Sequence, residues 1–251
     1  MKAAPLLLVL SSLSAQEVLE YNGKPLQFPF ECTEEDTQTA GLHCSVEEPR
    51  PAFLELSSVE AVGNRLFLTG NLHGAAATFY SILITSSDAG KTWKEGYQRL
   101  RSAELDQIQF LDFETGWIAG NYISGTPRDA FLLSTHDGGS TWRLLPLFED
   151  SRPGEIEKFY FESKTAGALL LDVRYANRYE LFETRTGGDS WESRQTSVQP
   201  IRLPQERPAG NPAWRLRADA ATHAYAIERA EAAAHWQKVA SFLVSAGKCT
   251  Q

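Results

Sequence analysis

The stretch Ser86-Ser87-Asp88-Ala89-Gly90-Lys91-Thr92-Trp93 returns as Thr135-His136-Asp137-Gly138-Gly139-Ser140-Thr141-Trp142. It returns again, altered, as Thr184-Arg185-Thr186-Gly187-Gly188-Asp189-Ser190-Trp191. Trp93, Trp142 and Trp191 are separated by 49 residues in both intervals. A fixed period of that size signals a repeat architecture and suits the blades of a β-propeller. The chemistry of the octapeptide agrees. A Ser or Thr and an Asp two residues later both reach backbone amides of a tight turn. The Gly that follows supplies positive φ. Thr then returns the chain to a strand, and the Trp ring packs against neighbouring strands.

Strand patterning between the boxes fits four short strands per repeat. The first repeat reads as strands over 56–62 and 65–70, a loop over 71–79, a strand over 81–85, the box, and a fourth strand beginning at Trp93. The second reads as 106–113, 116–121, a loop over 122–130, 131–134 and 143–148. The third reads as 155–162, 167–173, a tight turn over 174–179, and 180–183. A fourth, truncated repeat has strands over 214–219 and 223–228. Trp236, 45 residues after Trp191, stands where a box Trp belongs, although the Ser, Asp and Gly of the box are gone. Helix propensity favours 228–243, but the period places a strand over 239–244. The expected fold is all-β, a propeller of about four four-stranded blades. The N-terminal segment 16–51 and the C-terminus would close the ring, and 52–251 would be the propeller proper.

The pattern Ser/Thr-x-Asp-x-Gly-x-Thr-Trp resembles the Asp-box, or bacterial neuraminidase repeat. The segment Phe113-Glu114-Thr115-Gly116-Trp117-Ile118-Ala119-Gly120, followed by a box ending in Trp142, resembles blades of the photosystem II assembly and stability factor family. That resemblance covers about residues 52–245. It implies an exported propeller in which the box residues Ser86, Asp88, Gly90, Trp93, Thr135, Asp137, Gly139, Trp142, Thr184, Gly188 and Trp191 are structural.

Charge and cysteines bound the function. The chain of 251 residues carries a net charge of −8, which disfavours nucleic acid and anionic membranes. Met1-Lys2 followed by an apolar run and Ser14-Ala15 reads as a signal peptide over 1–15, and so as export to a periplasm or the outside. In such a compartment Cys32, Cys44 and Cys249 predict one disulfide. Cys32–Cys44 is the first expectation, and a bridge from Cys249 to either is the competing one. The five histidines show no metal-ligand spacing, so neither metal nor cofactor is expected.

The loops on the face opposite the boxes carry Arg99, Arg101, Arg128, Arg152, Arg174, Arg178, Arg202 and Arg207, and none of the eight lysines. Tyr175 lies among them. Arg and Tyr favour recognition surfaces, and solvated loops also carry charge simply for solubility. The expectation is a non-catalytic propeller binding a protein or peptide, an acidic one included, through Arg99, Arg101, Arg128, Arg152, Arg174, Tyr175 and Arg178. The alternative is a glycan-binding or sialidase-like glycoside hydrolase propeller. Against the sialidase, the chain has no aromatic-Arg-Ile-Pro motif and no room for six blades.

Overall fold

The structure is a computed structural model that describes residues 17–123, 129–148, 153–203, 211–232 and 235–250. The segment read as a signal peptide, and with it Arg128, Arg152 and Arg207, lies outside the described residues.

Among the described residues the chain is all-β apart from one helix and a short 3-10 turn. Its first repeat consists of β3 (Arg50–Val62), β4 (Arg65–His73), β5 (Thr78–Ser86) and β6 (Thr92–Glu95). Two short strands before it are β1 (Leu19–Glu20) and β2 (Phe30–Glu31), and between β2 and β3 lies the helix α1 (Glu34–Thr39). The second repeat is β7 (Ala103–Phe110), β8 (Gly116–Tyr122), β9 (Asp129–Thr135) and β10 (Arg143–Pro146). The third is β11 (Glu155–Phe161), β12 (Gly167–Val173), β13 (Arg178–Thr184) and β14 (Glu192–Ser197). Each of these two repeats is one four-stranded antiparallel sheet in chain order. A fourth sheet holds β15 (Trp214–Asp219), β16 (Ala224–Ala232) and β17 (His235–Leu243).

The first sheet is enlarged. β1 adds to the outer edge of β6, and the last strand, β18 (Ser245–Cys249), lies antiparallel beside the start of β3 with β2 parallel on its far side. The register sets Lys248 against Glu31 and Cys249 against Arg50. Strand β3 therefore begins at Arg50, inside the polar, proline-containing stretch Glu47-Glu48-Pro49-Arg50-Pro51, which has the composition of a linker.

The repeated octapeptides fold as self-bonded turns. Ser86 Oγ accepts from the Gly90 amide at 2.8 Å, and Asp88 accepts from the Thr92 amide and hydroxyl at 2.9 and 2.7 Å. Thr135 and Asp137 do the same for Gly139 and Thr141. In the third copy Thr186 stands where the Asp would be, and its hydroxyl takes the Ser190 amide at 2.9 Å. The box glycines Gly90, Gly139 and Gly188 have φ of 91°, 83° and 100°, which a side chain would strain.

Large rings join the sheets. Phe67 of the first sheet meets Phe110 at 4.7 Å and the edge of Trp142 at 6.3 Å, both from the second. Trp117 of the second stacks on Phe161 of the third at 3.7 Å. Trp93 meets Phe242 of the fourth sheet at 5.2 Å, so the first sheet packs on both the second and the fourth. Trp93 is fully buried, Trp142 is 8% exposed and Trp191 is half-buried.

Three expectations need correction. The disulfide is Cys32–Cys249, not Cys32–Cys44. The reason is topological. Pairing of β18 with β2 carries Cys249 to Cys32 across 217 residues, with Cα atoms 4.9 Å apart, while α1 occupies the chain between Cys32 and Cys44. Residues 34–41, whose polar composition suggests a turn, contain that helix. Thr33 caps it, taking the Asp36 amide while the Asp36 carboxylate takes the Thr33 amide. Finally, Trp236 sits in the third strand of its sheet, opposite Ala230, and not in a fourth strand. Beside that strand runs residue 26, whose amide donates to the Ser241 carbonyl and whose carbonyl accepts from Leu243.

Candidate functional site

Three inner strands carry the same local device. β3, β7 and β11 each shift register against their neighbour, between Leu56 and Ser58, Leu105 and Gln107, and Ile156 and Lys158. Immediately before each irregularity stands a glutamate, Glu55, Glu104 and Glu155, paired across the ladder with Asn71, Asn121 and Asp172. Bulges of this kind bend a strand and re-aim its side chains. The sequence carries the signal as Glu55-Leu56, Glu104-Leu105 and Glu155-Ile156, at nearly the repeat period. These glutamates lie on strands, outside the arginine-bearing loops.

Between the first and second sheets these residues line a pocket of about 420 Å³. Glu55 comes from β3, Asn71 and His73 from β4, Glu104 from β7, the small turn Gly74-Ala75-Ala76-Ala77 from the β4–β5 connection, and Asp36 from α1. Asn71 is 4% exposed; its amide nitrogen donates to Glu55 at 3.3 Å, and its side-chain carbonyl has no partner. A buried acceptor left without a donor is costly, by about 1–3 kcal/mol.

The helix side of the pocket is tied to the first sheet and to Arg101 by hydrogen bonds and ion pairs. Asp36, 3% exposed, accepts from Tyr80 Oη and from Arg101 Nη1, both at 2.6 Å. Arg101 also pairs with Glu35 at 3.1 Å and lies over the Tyr80 ring at 5.1 Å. Burial pushes the Asp36 carboxyl up, but the Tyr80 and Thr33 hydrogen bonds and the Arg101 charge outweigh it, so the group titrates below the ordinary range. Burial and the bond to Asp36 push the Tyr80 hydroxyl up to about 12. Asp36 is thus ionised, and Tyr80 neutral, throughout the physiological range.

A second, smaller pocket of about 260 Å³ lies at the next sheet junction, lined by Glu104, Asp106, Asn121, Glu155, Asp172 and Arg174 among others. Here Asn121 is bonded on both sides, to Asp106 at 2.9 Å and from the Ile156 amide at 3.4 Å.

The arginines singled out in the sequence do not gather into one patch of open charge. Arg99 pairs with Glu95, and Arg101 with Asp36 and Glu35. Arg174 pairs with Asp172 at 3.0 Å and Glu155 at 3.2 Å, and Arg178 with Glu180 at 2.6 Å. Tyr175 is 65% exposed beside Arg174. Arg101 and Arg174 line the two pockets, while Arg99 lies in a separate cleft with Glu17 and Phe28. Among the described residues no cluster of three or more His, Cys, Asp or Glu side chains is arranged to hold a metal ion, and no helix is long and apolar enough to cross a membrane.

The sequence matches no protein-family model, and no curated protein matches it either. Among solved structures it is similar to the GH74 xyloglucanase of Xanthomonas campestris, at 14% identity and a TM-score of 0.38, over 52% of this chain and 18% of that one. It is similar to a PL25 ulvan lyase at 9% identity and a TM-score of 0.41, over 78% of this chain and 51% of that one. It is similar to an α-L-arabinofuranosidase of Fusarium graminearum at 14% identity and a TM-score of 0.36, over 84% and 61%. The chain thus spans between about a fifth and three fifths of the proteins it resembles.

Two expectations are corrected at this point. The reading as a non-catalytic, protein-binding propeller is overturned, and the reading as a non-enzyme with it, because the proteins of similar structure are glycoside hydrolases and a polysaccharide lyase. The site itself gives a physical reason as well. The described guanidinium groups on which capture of an acidic partner would depend are held by carboxylates of the chain.

Proposed function

We propose that this chain is an exported carbohydrate-active propeller whose pocket between the first and second sheets binds a glycan and hydrolyses a glycosidic bond. The observation that carries the reading is the pocket itself, which Glu55 and Glu104 line together with the buried Asn71, whose side-chain carbonyl has no partner. A sugar ring presents hydroxyl donors, and such sites favour a few placed polar groups in a concave pocket. Glycoside hydrolysis needs two carboxyl groups flanking the bond. One protonates the glycosidic oxygen as the C–O bond breaks, and the other delivers water to the anomeric carbon or forms the intermediate that water then opens. Glu55 and Glu104, on facing inner strands, are the residues assigned to these roles. The Arg101–Asp36–Tyr80 group holds the helix side of the pocket in place.

The same reading takes the octapeptides as Asp-boxes with a structural role, and about four blades. The ring would be closed by β18 on β3 and by residues near Leu26 along β17. It also takes 1–15 as a signal peptide, a compartment suited to the Cys32–Cys249 disulfide.

The test is a screen of fluorogenic and oligomeric glycosides for binding and for release of reducing ends, repeated with Glu55→Gln and Glu104→Gln. Hydrolysis reduced at least a hundredfold in both variants, with an unchanged thermal midpoint, supports the assignment. Binding without hydrolysis in the parent chain refutes the catalytic half of the reading. Absence of both refutes all of it.

A further inference from the structure

We infer that a third cavity extends the glycan site, with Phe113 as a stacking platform, so that the substrate is a linear chain of several sugar units. The inference rests on the carbohydrate reading above and adds the substrate class. The cavity measures about 780 Å³, more than either pocket described so far. Strands β3, β7 and β11 all line it, and Asn211 and Pro212 add the approach to β15. The three cavities adjoin in order along β7. Glu104 lines both pockets described above, while Asp106 and Gln107 line the smaller of those and this one. At about 3.3 Å per strand residue, Glu104 and Phe110 lie about 20 Å apart, too far for one sugar ring to span.

The wall of this cavity differs in kind from that of the first pocket. Phe110, Leu111, Phe113, Phe159, Tyr160 and Pro212 give it an apolar surface. Two amides in the lining tie β7 to β11. Gln109 bonds the Phe161 carbonyl and amide, both at 2.8 Å, and Gln107 donates to the Glu157 carbonyl at 2.9 Å. Phe113 stands at the rim, 67% exposed, with its ring beside Gly63, where an added Cβ would lie 3.4 Å from it. Its turn is pinned. The Asp112 carboxylate accepts the amides of Glu114 and Thr115 at 2.9 and 2.7 Å, and Arg65 donates to the Phe113 and Gly138 carbonyls. A single exposed ring is ordinary on a surface, but one at the mouth of an apolar cavity marks a place where a ligand is covered. An apolar ring held in water gains by that covering, and its prior ordering lowers the cost of binding. A pyranose offers a flat face of C–H groups with hydroxyls around its edge. The face suits the aromatic wall here, and the hydroxyls suit the polar pocket at the other end of β7. Concave sites of this size, with apolar walls and a few fixed polar groups, are where ligands are usually held.

The experiment compares disaccharides with hexasaccharides of the cello-, xylo- and manno-oligosaccharide series. Affinities are measured by calorimetry, with Glu55→Gln in every chain to prevent turnover. The expected result is that in at least one series the hexasaccharide binds at least tenfold more tightly than the disaccharide. Phe113→Ala should remove that gain, weakening the hexasaccharide at least tenfold and the disaccharide less than threefold. Phe113→Tyr, which keeps the ring face, should keep the gain, and so separates stacking from a fault in folding. A hexasaccharide no tighter than its disaccharide in every series that binds overturns the inference while leaving the carbohydrate reading intact. So does a gain that survives Phe113→Ala, a loss shared equally by both lengths, or a Tyr variant as weak as the Ala variant. If no glycan of either length binds, nor any in the wider screen, the carbohydrate reading itself falls, and this inference with it.

Discussion

Asn71 and Asn121 occupy the same place in successive repeats, each on a second strand opposite a glutamate that precedes a bulge. Asn121 is spent on structure, holding Asp106 on one side and the backbone of the third sheet on the other. Asn71 holds only Glu55, and its carbonyl is left open. The difference follows from what surrounds each junction. At the first, α1 and the small-residue turn Gly74-Ala75-Ala76-Ala77 border a pocket of about 420 Å³. At the second, Arg174 pairs with the two acids beside it and the pocket is smaller, about 260 Å³. The same position in the repeat thus holds an asparagine bonded on both sides at one junction and on one side at the other.

The comparison is tested most severely through the rings. Trp117 is fully buried, stacks on Phe161 and donates its indole N–H to the Gly187 carbonyl at 3.0 Å. Trp117→Ala should lower stability by about 3–5 kcal/mol, the usual cost of removing a large core ring. Trp142 at the first junction is 8% exposed and its N–H has no partner. Trp142→Ala should therefore cost less than Trp117→Ala in urea denaturation. Equal or reversed losses would show that the second junction is not the tighter joint.

The asparagines give the next effect. Asn121→Ala strips Asp106 and the Ile156 amide of a partner, and should cost about 1–3 kcal/mol. Asn71→Ala removes one 3.3 Å bond and relieves an unsatisfied carbonyl, so its loss should stay below about 1 kcal/mol. Paired urea titrations decide the matter. A larger loss at Asn71 would mean that its carbonyl has a structural use.

Much of this was legible from residues alone, and the failures share a cause. Strand rhythm and turn chemistry are local, so the periodic Trp residues and the Ser-x-Asp-x-Gly turns announced themselves. The segment 235–243 is a strand despite the local helix propensity because β16 pairs with it. The Cys32–Cys249 bridge depends on where the last strand docks, which no local pattern encodes. Helix α1 was missed even though Thr33 and Asp36 spell a capping pair. The glutamates of the candidate site were missed because a bulge changes which face a strand residue presents, and alternation alone does not show it.

The turns extend the comparison to pH. Burial pushes the Asp137 carboxyl up, but hydrogen bonds from the Thr141 hydroxyl and amide and from Thr135 outweigh it and bring it down to about 2. A carboxylate depressed in the folded state adds stability above its ordinary value of 3.8, and that contribution is lost as the pH falls from there towards about 2. The third turn has Thr186 at this place and nothing to titrate. Carboxyl NMR should find the Asp137 midpoint well below 3.8. Denaturation at pH 5, 3 and 2 should show Asp137→Asn to be less acid-sensitive than the parent chain. A normal midpoint would mean that the turn does not grip its acid.

The smallest effect is the most direct test of what the repeat contributes. In the second turn two carboxylate oxygens of Asp137 serve the Thr141 amide and hydroxyl at 2.9 and 2.6 Å. In the third, a single Thr186 hydroxyl serves the Ser190 amide at 2.9 Å and shares a proton with the Ser190 hydroxyl at 3.0 Å. Thr186→Asp supplies the missing oxygen and a charge-assisted bond. The gain is discounted because the turn is exposed and Asp189 stands nearby. It should come to about 0.5–1 kcal/mol, a rise of roughly 1–4 °C in midpoint for a chain of this size. The reverse change, Asp137→Thr, should lower the midpoint by a similar amount, because it makes the second turn into the third. If Thr186→Asp destabilises the chain, the third turn has settled into a geometry of its own. The three octapeptides would then be alike in sequence but no longer interchangeable in structure, as Asn71 and Asn121 already are.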